Sequence, residues 1–257
     1  MRRTYAFFIN LQLLLIISLS QVHAQDTIMV PLKIKVGLEV SGPIIYFIGK
    51  NNLTTEGYIS YDLNEKTSAA LNAGYVRYNY SQYNYEYLTN GIFVRTGVDI
   101  NLLQPKKSMG KYWVGVGLRY GLSRFSSEIP SFQQDNYYGT ISSSIGQRKD
   151  WVHFFEVSPG VRAEIFNNFS MGWTISLRLL LYSSSSKDLK PIYVPGFGNS
   201  GKMLSTGMNY FIVWNFPYNK KQVIIRKEVP EETEDTGTTG TSGNRQQNSG
   251  IRQYPQP

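Results

Sequence analysis

The sequence predicts an all-β protein: a single eight-stranded antiparallel transmembrane β-barrel, with a cleaved signal peptide before it and a disordered tail after it. Three observations predict this fold. Eight segments alternate apolar and polar residues with a period of two, the side-chain period of a strand. The polar positions hold small residues and charges of both signs, which suit a narrow closed interior. The links between segments are short at one end and long at the other, as in outer-membrane barrels.

The alternating segments follow one another between residues 32 and 218. The fourth to seventh keep their alternation for about 9–11 residues, the length of a tilted membrane-spanning strand. Aromatic residues gather near the ends of several apolar faces, where the girdles at the two membrane interfaces would lie. In chain order the segments cover residues 32–40, 56–63, 68–75, 92–102, 112–122, 155–165, 172–181 and 205–218.

Two other folds stay open at this point. A soluble sandwich also buries one apolar face of each sheet, so a period of two does not exclude it. A ten-stranded barrel would form if the link 126–150 folded as an extra hairpin.

The links of the eight-stranded barrel differ in length. The short links 64–67, 104–111 and 167–169 share one end, and the link 41–55 is of intermediate length. This pattern places both termini on the short-turn, periplasmic side.

The two ends of the chain differ from the barrel in composition. Residues 1–24 read as a secretory signal peptide, with Arg2 and Arg3 ahead of an apolar run and a small-residue cleavage site at Val22-His23-Ala24. The barrel domain would then cover residues 25–218. Residues 219–257 are polar and low in complexity, and we expect a disordered periplasmic tail. As an alternative, three apolar residues in this tail could add a strand to a partner's sheet edge: Val223, Ile224 and Ile225.

The composition limits the possible chemistry. The 257 residues include no cysteine, which excludes disulfides and thiolate metal sites. The net charge of +8 falls to +6 without Arg2 and Arg3, since 24 basic residues then face 18 acidic ones. This mild excess is spread along the chain, so we expect no nucleic-acid partner. From the predicted fold we expect outer-membrane lipid around the barrel. We also expect no cofactor and no metal.

The inward positions of the predicted strands carry charges that must pair if they are buried. Arg95 and Asp99 share one face of a strand, and Arg162 and Glu164 share one face of another. We interpret the set as a structural network that fills the lumen, with a proton or ion path as the alternative. The network comprises Arg95, Asp99, Arg119, Glu156, Arg162, Glu164 and Arg178, and the inward charges Lys33, Lys35, Glu39 and Glu56 add to it.

His153 is the one histidine that remains after the predicted signal cleavage. It lies beside Asp150 in sequence, and serine-rich links (142–144 and 183–186) could lie near it at the rim of the barrel. Such a set could support a hydrolase or acyltransferase, in which imidazole acts as a general base. An interfacial histidine without a catalytic role is the simpler interpretation, and we expect no enzyme.

Two links have unusual compositions. Residues 191–198, PIYVPGFG, are apolar and stiffened by proline and glycine, so this loop should either fold over the barrel mouth or contact a partner. Tyr193 and Phe197 are its candidate contact residues. Residues 78–87 contain five tyrosines, a residue common in binding surfaces. Near the start of the mature chain, Asp26-Thr27-Ile28 resembles an Asp-Thr-aliphatic O-glycosylation site, with Thr27 as the acceptor.

Three segments carry a resemblance to a known family: GVRAEI (160–165), KPIYVPGFGNSGK (190–202) and STGMNYFIVWNFPY (205–218). With the barrel pattern over about residues 30–218, they resemble the small outer-membrane barrels typified by outer membrane proteins X and A. More narrowly they resemble an uncharacterised barrel family of Bacteroidota. The resemblance implies a signal-bearing outer-membrane protein without catalytic residues. Some members of such families are accessory subunits of envelope assemblies, including barrel-insertion machinery. The tail departs from outer membrane protein A, because it is too short for a peptidoglycan-binding domain.

The sequence therefore favours a non-enzymatic outer-membrane protein that binds another envelope component through its loops or its tail. An enzyme acting on lipid or peptide at the rim, and a small passive pore, are the alternatives.

Overall fold

The computed structural model describes residues 26–49, 52–137, 139–185 and 190–225. The predicted signal peptide and residues 226–257 of the predicted tail lie outside the described residues. The strands are β1 (Asp26–Glu39), β2 (Leu53–Asp62), β3 (Thr67–Gln82), β4 (Tyr85–Asn101), β5 (Tyr112–Asn136), β6 (Gly139–Phe166), β7 (Phe169–Ser183), β8 (Tyr193–Val194), β9 (Gly198–Asn199) and β10 (Leu204–Ile225). The helices are α1 (Ser41–Gly49) and α2 (Pro105–Ser108). No helix among the described residues is long and apolar enough to cross a membrane.

Eight long strands close into a barrel in which every neighbouring pair is antiparallel. The order round the ring is β1, β10, β7, β6, β5, β4, β3 and β2, and β1 closes the ring by pairing with both β10 and β2. The prediction of an eight-stranded barrel is confirmed, and each predicted segment corresponds to one of these strands, with Val40, Leu63 and Leu102 one residue beyond the strand ends. The sandwich is wrong because the sheet closes on itself, and the ten-stranded barrel is wrong because the link 126–150 lengthens β5 and β6 and adds no strand to the ring. The two short strands β8 and β9 pair only with each other.

The strands are staggered by ten residues round the ring. A path of directly opposite residues leaves β10 at Trp214 and returns to β10 at Leu204, ten residues earlier in the chain. The path runs through Val36, Ile59, Leu71, Thr96, Tyr120, Phe155 and Leu179. Because side chains alternate with a period of two, an even stagger lets every strand keep its apolar face outside.

The two faces of the wall follow the predicted alternation. On β10, Met208 and Trp214 are 67% and 44% exposed on the outer surface, whereas Phe211 and Val213 point inward and are buried. The other strands show the same division, with leucine, isoleucine and valine outside and charged, serine and asparagine side chains inside. An apolar exterior around a polar interior is the arrangement of a membrane-spanning barrel.

The barrel has two unlike ends. The "turn end" carries the short links 63–66, 102–111 and 167–168 and the ends of β1 and β10 that lie nearest the termini. The "loop end" carries α1, the β8–β9 hairpin and the tips of the β3–β4 and β5–β6 hairpins. Two links predicted as loops continue instead as paired strands, and the β5–β6 ladder reaches Asn136 opposite Gly139. Near their tips these extensions are exposed on both faces, so they show no apolar period there in the sequence.

At the turn end, the predicted boundary of the tail at residue 219 needs correction. Residues 219–225 continue β10 and pair with residues 26–32 of β1. The part of β1 before the register shift at Leu32/Lys33 covers this mouth. Val30 is buried there, and Pro31 packs against Gly110 of the link before β5. Because β1 and β5 lie opposite each other in the ring, this contact closes the turn end.

Candidate functional site

The middle of the lumen contains three arginines that converge on one carboxylate. Glu156 on β6 is 1% exposed and accepts hydrogen bonds from Arg95, Arg119 and Arg178. The Arg178 Nε lies 2.7 Å from this carboxylate and an Arg119 Nη lies 3.4 Å from it. Arg95 also pairs with the carboxylate of Glu56 on β2. Five charged side chains from five strands thus form one buried cluster, the "central cluster".

A second group extends from the central cluster towards the turn end. Arg119 donates to Asp99 at 2.6 Å, and the Tyr58 hydroxyl donates to the same carboxylate at 2.8 Å. Arg162 contacts the Tyr58 oxygen at 3.2 Å, and its guanidinium lies 4.8 Å from the Tyr58 ring centre and 5.3 Å from that of Trp113. Such stacking suits a guanidinium that is partly desolvated.

Two lysines on β1 complete the charges near the turn end. Lys33 pairs with Glu164, and Lys35 pairs with Asp62. Buried charges without partners cost several kcal/mol each, so this degree of pairing explains how so many ions fit in a narrow barrel. At the rim, Lys221 donates to Glu65 at 2.7 Å, and this bond holds the pKa of the Glu65 carboxyl below its usual value.

The structure brings the predicted lumen residues together but pairs them differently. Arg95 bonds to Glu56 and Glu156 on other strands, while Asp99 on its own strand bonds to Arg119. Glu164 bonds to Lys33, not to Arg162. The pairs run across strands because the stagger of the barrel decides which inward residues meet. Tyr58 and Asp62 were missed, although they occupy the inward positions of their strand and the alternation alone could have identified them.

The apolar link at the loop end folds into the barrel mouth. Val194 and Phe197 are fully buried and pack with Phe125, Val152 and Phe154. The rings of Phe154 and Phe197 meet edge to face at 5.7 Å. This "plug", residues 190–202, is held from below by Arg178, which donates to the Phe197 carbonyl at 3.3 Å.

This burial changes the prediction for Phe197, which cannot contact a partner while it lies inside the mouth. Tyr193 is half-buried and stacks on Tyr78 at 4.4 Å, and burial raises the pKa of its phenol.

A cavity of about 780 Å3 lies at the loop end, between the plug, α1 and the wall. Its polar lining includes Arg95 and Arg178 of the central cluster, and its apolar lining includes Ile45, Phe93 and Met208. The volume falls within the roughly 300–1,000 Å3 of small-molecule sites. Nothing in the sequence pattern indicated this cavity, because α1 was predicted as part of a link.

His153 does not form a catalytic group with Asp150. The imidazole lies among outward-facing aromatic rings, with Trp151 at 4.6 Å and the Tyr120 hydroxyl 2.5 Å from its Nδ1. Asp150 is buried, and its hydrogen-bond partner is Ser184. Among the described residues no group of histidine, aspartate and glutamate could hold a metal ion.

The remaining predicted contact residues lie at the turn end. Val223, Ile224 and Ile225 are paired with Ile28, Thr27 and Asp26 of β1. Their backbones therefore lengthen β10 within this chain's own sheet. The Thr27 side chain is exposed and accepts a hydrogen bond from Gln222 at 3.2 Å, and its glycosylation stays a prediction.

The closed ring, apolar exterior and ion-paired interior define the class of the protein as a small outer-membrane β-barrel. The chain belongs to the family described as "Domain of unknown function (DUF6048)", whose model matches residues 1–221. No curated protein matches the chain. The narrower resemblance to a Bacteroidota barrel family stays a prediction.

Three solved structures are similar to the chain. Ail, the attachment invasion locus protein of Yersinia pestis, has 8% identity and a TM-score of 0.37, with 72% of this chain and 97% of that one covered. The N-terminal β-barrel domain of Pseudomonas aeruginosa OprF has 10% identity and a TM-score of 0.30, with 72% and 97% covered. Acinetobacter baumannii CarO has 13% identity and a TM-score of 0.32, with 74% and 98% covered.

Proposed function

We propose that this protein is a non-enzymatic component of the bacterial outer membrane that binds another envelope protein at its loop end. The observation that carries the proposal is the length of the β5–β6 hairpin. The two strands have 25 and 28 residues, whereas about 9–11 residues cross a membrane. Most of the hairpin beyond the wall is exposed on both faces, so it serves neither the lumen nor the lipid surface.

The outer edge of this hairpin is open to another strand. β6 pairs with β7 only from Val152 onwards, so residues 139–150 have β5 on one side and no strand opposite the other among the described residues. Natural edge strands are usually protected by lysine, proline, β-bulges or inward-pointing charges. Arg148, Lys149 and an irregular register next to them protect the part near the wall, whereas residues 139–145, GTISSSI, contain no such feature. An unprotected edge with β-branched and small residues suits pairing with an extended segment of a partner.

The other predicted contact sites are less suited to a partner. Phe197 is buried in the plug, and residues 223–225 are paired with β1 on one side. Their other edge has no strand opposite it among the described residues, but Lys220 and Lys221 precede it on β10 and protect an edge of this kind. The class places short turns in the periplasm and long loops outside the cell, so the hairpin would face outwards. Catalysis at His153 lacks a base–acid pair in the described geometry. An accessory role in barrel insertion stays a prediction.

A proline at the free edge tests the proposal. Gln133 donates its backbone N–H to Asn84 on the β4 side, so Gln134 and its opposite residue Ile141 bond to each other. The N–H of Ser142 therefore points to the free edge. Ser142→Pro removes this donor without breaking the hairpin, and Ser142→Ala is the matched control.

The experiment is cross-linking in intact cells, followed by purification in mild detergent. We expect one partner band with the wild type and with Ser142→Ala, and its loss with Ser142→Pro. Retention of the band in the proline variant would show that the edge is not the binding surface. Absence of any band from the wild type would contradict a binding function at this end.

A further inference from the structure

The barrel wall has a lateral gap at the loop end. β1 ends at Glu39, and its last contact with β10 is the 3.0 Å hydrogen bond from the Val40 N–H to the Tyr210 carbonyl. β10 continues to Leu204 in the loop-end direction, and β2 extends beyond Gly57, its last residue paired with β1. Residues 204–209 and 53–56 thus have a strand on one side only among the described residues. Two strand spacings of about 4.8 Å separate β10 from β2 here.

Helix α1 lies mainly on the β2 side of this gap and has fewer contacts with β10. The Gly42 Cα packs so closely on β2 that a Cβ there would lie 2.2 Å from the Thr54 carbonyl oxygen. The Glu39 carboxylate fixes the start of the helix by accepting the backbone N–H groups of Ser41 at 2.8 Å and Gly42 at 3.0 Å. None of the residues of α1 is buried. Its apolar side chains are 54–82% exposed, as expected of a helix in contact with lipid: Ile44, Ile45, Phe47 and Ile48.

The β10 side of the gap presents unpaired backbone. Since Tyr210 directs its carbonyl to the β1 side, the backbone groups of Leu204, Thr206 and Met208 point the same way, into the gap. Open sheet edges are not tolerated in hydrocarbon, but they occur where backbone lines a polar cavity. The side chains of Leu204 and Met208 meanwhile face the lipid, at 56% and 67% exposure. The gap is thus apolar on its outer side and polar within.

The cavity described above continues inward from this gap to the central cluster. Arg95 lines it and is 2% exposed, and its Nε atom has no hydrogen-bond partner among the residues that the structure describes. The charged lining groups are Arg95, Arg178 and Lys202 against Glu39 and Glu56. Glu156 also pairs with both arginines, and the Glu39 carboxylate accepts N–H groups at the start of α1. The spare Nε donor of Arg95, together with the Lys202 ammonium, favours a phosphate or a carboxylate.

We propose that this lateral cavity binds an anionic membrane amphiphile, whose phosphate or carboxylate enters between α1 and β10. The anionic group lies near Arg95, Arg178 and Lys202, and the acyl chains stay outside against Ile45, Leu204 and Met208. The polar end of the lipid also supplies partners for the backbone edge of β10. The site is separate from the β5–β6 hairpin, so either proposal can fail without the other.

The test blocks the entrance without changing a charge. Met208→Trp places a bulky ring at the gap, and Ile175→Trp is its matched control, because Ile175 lies opposite Met208 and faces lipid on a closed part of the wall. Both variants are first checked for the heat-dependent gel shift of a folded barrel. Native mass spectrometry then measures binding from neutral detergent, with phosphatidylglycerol as the anionic probe and phosphatidylcholine as the zwitterionic one.

We expect one retained phosphatidylglycerol, at least tenfold weaker binding with Met208→Trp, and no change with Ile175→Trp. Lys202→Gln should also weaken binding, because it removes a cation of the lining outside the central cluster. Equal retention by the two tryptophan variants would overturn the lateral entrance. Equal retention of phosphatidylcholine would overturn the anionic site, and displacement by the same concentration of inorganic phosphate would overturn the amphiphile in favour of a free anion.

Discussion

At the scale of single residues, the central cluster depends on the sharing of Glu156. Arg95 has a second carboxylate in Glu56 and Arg119 has one in Asp99, while the other partners of Arg178 are the Phe197 carbonyl and the Asn209 side chain. Removal of one partner from a buried pair leaves an uncompensated charge in a medium of low dielectric. The stability of the barrel should therefore depend far more on the charge of Glu156 than on an exposed ion pair at the turn end.

Glu156→Gln tests this sensitivity, because glutamine keeps the shape and loses the charge. We expect the free energy of unfolding to fall by about 3–5 kcal/mol, measured by urea titration in detergent with the gel shift as readout. The control is Glu65→Gln, which removes the exposed pair with Lys221 and should change stability by about 0–1 kcal/mol. Similar small losses in both variants would show that the lumen tolerates the unpaired arginines.

The plug depends on the backbone of Gly196. Its φ of +74° is a conformation that other residues rarely adopt, and a Cβ there would lie 2.4 Å from the Phe93 ring. Gly196→Ala should therefore destabilise the plug by about 1–3 kcal/mol.

The readout for Gly196→Ala is limited trypsin digestion at Lys190 and Lys202, which we expect to become faster. Gly146→Ala is the control, because a Cβ at that position meets no atom within 4 Å. Unchanged cleavage in both variants would show that the plug does not require glycine at 196.

At the scale of elements, the long hairpin and the barrel should be separable. Beyond the Ile129–Ile145 pair the hairpin lies outside the wall, so replacement of residues 130–144 by Asn-Gly should leave a folded barrel. We expect its unfolding free energy to stay within about 1 kcal/mol of the wild type, by the same urea titration. A larger loss would mean that the hairpin stabilises the barrel and is not a separate binding element.

The contrast between the barrel wall and its extensions shows what the sequence could predict. Strands such as β7 could be identified because one face meets lipid and the other meets the lumen, which imposes a period of two. The tip of the hairpin, residues 130–137 and 139–144, meets water on both faces, so these residues carry no period. Helix α1 was also missed, since Ile44, Ile45, Phe47 and Ile48 meet lipid in a segment too short for a helical period to be recognised.

For the candidate site, alternation identified most inward charges but not their partners. Arg95 and Asp99 share a face of β4, yet each bonds to another strand. The stagger of ten residues decides which inward residues lie at the same height, and one strand's pattern holds no information about it. The lateral gap likewise follows from the early end of β1 relative to β10, which only the pairing of the strands reveals.

At the scale of the whole molecule, the barrel is closed at three levels: by the plug at the loop end, by the central cluster and by the segment at Pro31. An eight-stranded barrel has an interior just wide enough to be filled by side chains. A passive pore would need all three closures to open together. The arrangement instead suits a rigid body in the membrane that presents a hairpin on one side of it and a lateral cavity in its wall.

Conductance in planar bilayers distinguishes the closures. The wild type should conduct no ions, and replacement of residues 191–200 by a Gly-Ser linker should also give no channels, because the cluster around Glu156 lies beneath the plug and still fills the lumen. A general porin in the same bilayer shows that open channels are detectable. Stepwise currents from the variant without the plug would identify the plug as a gate, and the protein would then be a pore in spite of its ion-paired interior.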